Sequence, residues 1–172
     1  TTTGTPTITA AEAPNQGWAD RTQQQTVNAG TIAKIVFTTS ATTQSAGEHD
    51  QIMTIQTQDT YGNPATVNAS TTVNLTSTSG TGRFGISDTG AFDGSITSVT
   101  ITSGTNSTSF FYKDTIVGTP TVTAAEAPSQ GWADATQQQI VTAAAGAYLV
   151  FTTSAHTIIA GQVTGIITVQ SQ

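Results

Sequence analysis

The side chains able to do chemistry in this chain are few and widely spaced. It carries two histidines, ten carboxylates, four cations and no cysteine in 172 residues. Catalysis needs a nucleophile or an acid–base pair brought together in a pocket. His49 lies in Glu48-His49-Asp50, a trio that invites a metal reading, but a matching stretch later in the chain puts Gln162, Val163 and Thr164 there. The trio is therefore read as a solvated turn. His156 replaces Thr42 between the same stretches and is read as a surface residue. One acidic pair does recur, Glu12 with Asp20 and again Glu126 with Asp134. Calcium takes about six to eight oxygens from carboxylates and turn carbonyls. These four residues are calcium candidates, set against a plainer reading as caps for turn backbone. No EF-hand, phosphate loop or HExxH pattern is present. Turn capping is the favoured reading, and the expectation is a protein that is not an enzyme, with no catalytic residues and no cofactor, calcium at those carboxylates being the one alternative.

The matching stretches organise the whole chain. Residues 4–27 read GTPTITAAEAPNQGWADRTQQQTV, and residues 118–141 read GTPTVTAAEAPSQGWADATQQQIV. The offset is 114 residues (118 minus 4), and it continues where Ile35-Val36-Phe37-Thr38-Thr39-Ser40-Ala41 meets Leu149-Val150-Phe151-Thr152-Thr153-Ser154-Ala155. Roughly two positions in three are identical over the overlap, which marks a tandem array of about one and a half periods.

Composition narrows the function classes. Charged residues are 8% of the chain and the net charge is −6, with Arg21, Lys34, Arg83 and Lys113 unclustered. Nucleic-acid phosphates and anionic membranes both want clustered cations, so neither is an expected partner. No apolar run reaches the ~18 residues of a membrane span, so this fragment is not expected to insert in one. Without cysteine, disulfides and thiolate metal sites cannot hold the fold. Thr supplies much of the polarity, and its branched Cβ suits a half-exposed pleated surface. Three sequons, at Asn68, Asn74 and Asn106, are candidate glycosylation sites. An internal Lys–Asn crosslink through Lys34 or Lys113 is disfavoured for the array, because Lys34 becomes Tyr148 in the next copy.

The elements that must position these residues are strands. Short alternating apolar runs are separated by Gly, Pro, Asn and Ser, the pattern of a sandwich or barrel. Strand candidates are 5–13 and its copy 119–127, 23–27, a run from Thr31 with Ala33, Ile35 and Phe37 on one face, and 51–58 with Met53 and Ile55 inward. Further along come 71–77 with Val73 and Leu75 inward, 95–102 with Val99 and Ile101, and 108–113 with Phe110 and Tyr112. A turn is expected at 45–50 and another at Asp59-Thr60-Tyr61-Gly62-Asn63-Pro64, where Gly takes positive φ and Pro fixes the exit. Residues 80–94 read as a glycine-rich loop with Phe84 and Phe92 as lids. Trp18 and Trp132 sit in matching turns, either plugging one end of a sandwich or offering a contact surface.

About seven strands in one period is the size of an immunoglobulin-like β-sandwich. The period divides the chain into residues 1–30, the closing strands of one repeat; 31–142, a complete domain; and 143–172, the opening strands of another. Incomplete sandwiches leave apolar faces and strand edges bare.

The order Asp59-Thr-Tyr-Gly-Asn-Pro, Val73-Asn-Leu75, Val99-Thr-Ile101, Ser109-Phe-Phe-Tyr112-Lys113-Asp114 and Gly118-Thr-Pro-Thr-Val-Thr-Ala resembles the bacterial Ig-like repeats of cell-surface proteins, of the invasin/intimin kind. The resemblance covers nearly the whole chain. It implies all-β sandwiches strung end to end in stalks, surface layers and extracellular filaments, and no catalytic residues. The expected function is structural and extracellular. The partners would be copies of the chain itself, with strand exchange between neighbours where a terminal sandwich is incomplete. The competing expectation is an adhesin module that binds glycan, a host surface or ice through its Thr-rich face or Trp turn.

Overall fold

The computed structural model describes residues 2–49 and 51–172. Asp50, expected to close the turn that starts at Ser45, lies outside the described residues. The chain divides into two compact units, Thr1–Thr142 and Ala143–Gln172. No helix is formed among the described residues, so none is long and apolar enough to cross a membrane.

The first unit contains an immunoglobulin-like β-sandwich. One sheet runs β3 (Lys34–Phe37), β5 (Met53–Gln58), β9 (Ser107–Lys113), β7 (Arg83–Gly85) in spatial order. The other runs β11 (Ala135–Gln138), β10 (Thr121–Ala127), β6 (Thr71–Ser77), β8 (Ser98–Ile101). Every pairing in both sheets is antiparallel. The sheets approach along one side, where Ile35 N donates to the Ala133 carbonyl at 2.9 Å and β4 (Thr43–Ser45) pairs parallel with β12 (Ile140–Thr142). That is more pieces than the seven strands expected, because short segments on either side of turns also pair.

Period-two patterning decides which side chains go inside. Along β6, Thr71, Val73 and Leu75 are buried while Thr72, Asn74 and Thr76 are exposed. β5 buries Met53, Ile55 and Thr57 in the same alternation, and β10 buries Val122, Ala124 and Glu126. These meet Ile35, Val99, Ile101, Phe110 and Tyr112 in one core. Phe110 sits at its centre, edge-on to Phe37 at 6.3 Å and to Phe84 at 5.9 Å. Each large apolar side chain removed from water here is worth about 1.5–3 kcal/mol. With no cysteine in the chain, burial rather than crosslinking holds the sandwich.

The glycine-rich stretch departs from expectation. Residues 80–94 contain β7, and Phe84 is a buried core residue rather than a lid. The glycines make this possible by close approach. A Cβ on Gly82 would lie 2.7 Å from the Tyr112 hydroxyl and 2.8 Å from Ser77 Oγ, and one on Gly85 would lie 2.9 Å from the Phe92 ring. Below this strand, Tyr112 donates to Asp114 Oδ2 at 2.7 Å and shares a 2.8 Å hydrogen bond with Ser77. Asp114 Oδ1 accepts from Thr81 Oγ1 and from the amides of Thr115 and Ile116. Burial alone would raise the Asp114 pKa, but these donors hold it down at about 2. Burial pushes the Tyr112 hydroxyl the other way, well above its ordinary value.

Ahead of the sandwich, β1 (Thr7–Ala10) and β2 (Arg21–Gln24) form a separate hairpin; β1 is shorter than the expected 5–13, and β2 begins two residues before the expected 23–27 because Arg21 and Thr22 pair with Ala10 and Thr9. Its register is that of β10–β11 shifted by the sequence offset. Ile8 faces Gln23 as Val122 faces Gln137, and Ala10 faces Arg21 as Ala124 faces Ala135. The outer rung repeats too, with Gly4 opposite Val27 and Gly118 opposite Val141.

The second unit is also a hairpin. β13 (Leu149–Phe151) and β14 (Val169–Ser171) pair Leu149 with Ser171 and Phe151 with Val169. These are the counterparts of Ile35 with Thr57 and Phe37 with Ile55 in β3–β5. What changes is cover. Val122 is 0% exposed and its counterpart Ile8 58%; Ile35 is 2% exposed and its counterpart Leu149 73%.

Candidate functional site

The turn between β10 and β11 is built around one carboxylate. Glu126, the last inward residue of β10, is followed by Pro128 and then Ser129-Gln130-Gly131-Trp132. Its Oε1 accepts from the amides of Gln130 at 2.8 Å and Trp132 at 3.0 Å, and from Ser129 Oγ at 3.4 Å. Burial would raise the Glu126 pKa, but these backbone donors outweigh it and the pKa is lowered. Gly131 turns the chain with φ +83°, a conformation that costs glycine little. Ala133 then locks to the sandwich by exchanging bonds with Ala33 and Ile35. Trp132 is left partly buried, packed against the end of the core.

The first copy repeats the local chemistry without the cover. Glu12 Oε1 accepts from the Trp18 amide at 2.6 Å, and Asn15 Oδ1 from the Gly17 amide at 2.8 Å. Glu12 Oε2 is shielded from solvent and has no hydrogen-bond partner among the described residues. Trp18 stands 70% exposed. Asp20 and Asp134, the other two calcium candidates, are both exposed. Among the described residues, no group of three or more His, Cys, Asp or Glu is placed to hold a metal ion.

A cleft of about 1040 Å³ opens beside Trp132. One wall is the linker from Asn28 to Ile32, another the segment from Pro64 to Thr72, and a third Ala127, Pro128 and Gln130. None of the lining side chains is ionisable; they are amides, hydroxyls, small apolar groups and the indole. Asn68 lines this cleft and is exposed, Asn74 is exposed on β6, and Asn106 is partly buried with its carbonyl accepting from the Thr57 amide.

His49 is exposed and stacks on Phe92 at 5.6 Å, with Phe111 edge-on at the same distance. Lys113 Nζ lies 5.8 Å from the centre of the Phe92 ring. His156 is exposed in the second unit. Sequence reasoning missed a different site, the turn that grips the linker. Asp59 and Asn63 are both buried. Asp59 Oδ1 accepts from the amides of Tyr61 and Asn63, each at 2.9 Å. Asp59 Oδ2 accepts from Asn63 Nδ2 at 2.8 Å and from the Gly30 amide at 2.9 Å. The Asn63 side chain, followed by the backbone amides, holds the Asp59 carboxyl far below the usual carboxylate range. The Asp-x-x-x-Asn spacing was legible as a turn; the distant donor at Gly30 was not.

No protein-family model and no curated protein sequence matches the chain. Solved structures do resemble it. One is a beta-glycosidase from Bacteroides vulgatus, with a TM-score of 0.50 and 16% identity over 80% of this chain. Another comprises domains 4 and 5 of the S-layer protein SbsC, with a TM-score of 0.43 and 19% identity over 82% of this chain. A third is the D00-D0 domain of Intimin, with a TM-score of 0.39 and 15% identity over 71% of this chain. The chain spans 59% of the SbsC fragment, 18% of the glycosidase and 56% of the Intimin fragment. The likeness to the glycosidase is one of fold, a β-sandwich within a much larger protein.

Proposed function

We propose that this chain is part of a non-enzymatic structural array of Ig-like repeats at the cell surface, forming an extracellular filament, surface layer or stalk. One observation carries the reading: the same hairpin occurs twice in the same register, sealed into a sandwich at 121–138 and bare at 7–24. A hairpin that is amphipathic in sequence but uncovered is half of an interface. In the array each repeat is a bead held by its own core, and the hairpins are covered by the other strands of an adjoining repeat or by strand addition from a neighbouring copy. The low charge and Thr-rich surface favour side-by-side packing over mutual repulsion.

Electron microscopy of the protein on its native cells tests this. Continuous fibres or a lattice with a spacing of one or two Ig-sized beads is the expected image. Dispersed single particles with no higher order would overturn the reading.

A second reading rests on the cleft beside Trp132. Its uncharged amides and hydroxyls, with an indole, are the groups that hold a neutral glycan. On this reading the chain is an adhesin module, and glycan-array binding lost in Trp132→Ala is its test.

A further inference from the structure

The turn at Asp59–Pro64 does more than reverse the chain. Besides its own amides, it takes donors from two distant places: Gly30 N reaches Asp59 Oδ2 at 2.9 Å, and Thr3 N reaches Asn63 Oδ1 at 3.1 Å. Both donors belong to the segment that carries the bare β1–β2 hairpin, one just before Gly4 and one just after Val27. Those two ends are tied to each other, since Gly4 and Val27 exchange amide–carbonyl bonds at 3.0 and 2.8 Å. The turn therefore grips the hairpin at both strands of its base, on either side of the Gly4–Val27 rung.

We infer that the Asp59–Asn63 turn is an inter-repeat clasp, whose partner is the base of the closing hairpin of the repeat ahead. This rests on the proposed reading of residues 1–30 as the end of such a repeat. The clasp surface is specific in its chemistry. It presents two acceptor oxygens, one carboxylate and one amide, to two backbone N–H groups, so it recognises main chain at a hairpin base and not a side-chain sequence. A carboxylate offers roughly four lone-pair sites, and those of Asp59 are matched by four donors. Asp59 and Asn63 are themselves held rigid: Asp59 N donates to the Asn63 carbonyl at 3.0 Å, Gly62 N to the Asp59 carbonyl at 3.1 Å, and Gly62 adopts φ +86°. A preorganised acceptor pair gives a joint with a set direction, where a bare linker would give a swivel.

The absence of cysteine makes the test direct. Thr9 on β1 and Thr100 on β8 are exposed, and Thr9→Cys/Thr100→Cys in the full chain takes two spin labels. Double electron–electron resonance then reads the hairpin-to-sandwich distance. The expected result is one narrow distribution that broadens at least twofold in Thr3→Pro/Gly30→Pro, which deletes the two N–H donors. Asp59→Asn is the second variant and should broaden it as well. Thermal unfolding of the proline variant, followed by circular dichroism, must remain a single cooperative transition, even if shifted downward by the donor lost to buried Asp59, because both substitutions lie outside the sandwich. A distribution already broad in the parent, or one still narrow in the proline variant with the sandwich intact, overturns the clasp. Either result leaves the array reading to its own microscopy, so the two fail separately.

Discussion

Removing the same contact from the two copies of one hairpin separates burial from local sequence. Val122 is fully buried between Ser77 of β6 and Gln137 of β11, while Ile8 holds the matching position in β1 and is exposed. Val122→Ala deletes two buried carbons, worth about 1.6 kcal/mol at about 0.8 kcal/mol per buried CH2. The sandwich relaxes only partly around the gap, which brings the cost to about 2–3 kcal/mol. For a domain of this size that lowers the melting temperature by about 8–12 °C. Ile8→Ala removes one more carbon than Val122→Ala yet is expected to change stability by less than about 0.5 kcal/mol, as exposed substitutions do. The double variant should be additive within about 0.5 kcal/mol, because the sites share no partner. Calorimetry at low protein concentration, with sedimentation to confirm the monomer, gives all three values. An Ile8→Ala cost equal to that of Val122→Ala would refute the reasoning, since it would require Ile8 to be covered in solution. The same cost appearing only at high concentration would show that a second copy covers it.

Three further outcomes follow from the buried polar groups and the close contacts. Asp114 has its folded pKa depressed to about 2, so its contribution is complete above the unfolded carboxylate value and lost as the pH falls through 2. Asp59 is depressed by its Asn63 and backbone donors and acts in the same direction. Stability measured by urea unfolding should therefore fall on acidification from about pH 4 downward, and Asp114→Asn should flatten that slope; a pH-independent parent would contradict the assigned hydrogen bonds. Gly82→Ala places a methyl within 2.7–2.9 Å of Tyr112 and Ser77 and should cost about 1–3 kcal/mol. In that variant Tyr112→Phe, which removes the crowded hydroxyl, should recover part of the loss; no recovery would place the strain elsewhere.

Much of the sandwich was legible before folding. Strict alternation along 71–77 marks both ends of that strand and turns Val73 and Leu75 inward, because a central strand with one buried face admits one register. The inward Met53, Ile55, Phe110 and Tyr112 followed for the same reason. β7 was hidden because a three-residue strand among glycines carries no periodic signal, and Gly82 and Gly85 serve a close approach that only the folded neighbours define. Glu12 and Glu126 were picked out by recurrence. That recurrence marks a repeated local device, the carboxylate that holds the Trp turn, and local hydrogen bonds within six residues need no tertiary context.

The sequence by itself determined the register of each hairpin, since identical spacing of the same residues produced identical pairing in both copies. It could not determine which copy is covered. Ile8 and Val122 have nearly the same neighbours in the chain, and burial depends on whether another strand, here β6, lies alongside. The Asp59 clasp is of the same kind: its own turn is written in residues 59–63, but its fourth donor comes from Gly30, brought there by the path of the chain. Periodicity and turn chemistry act over a few residues, and cover is a property of elements far apart in sequence.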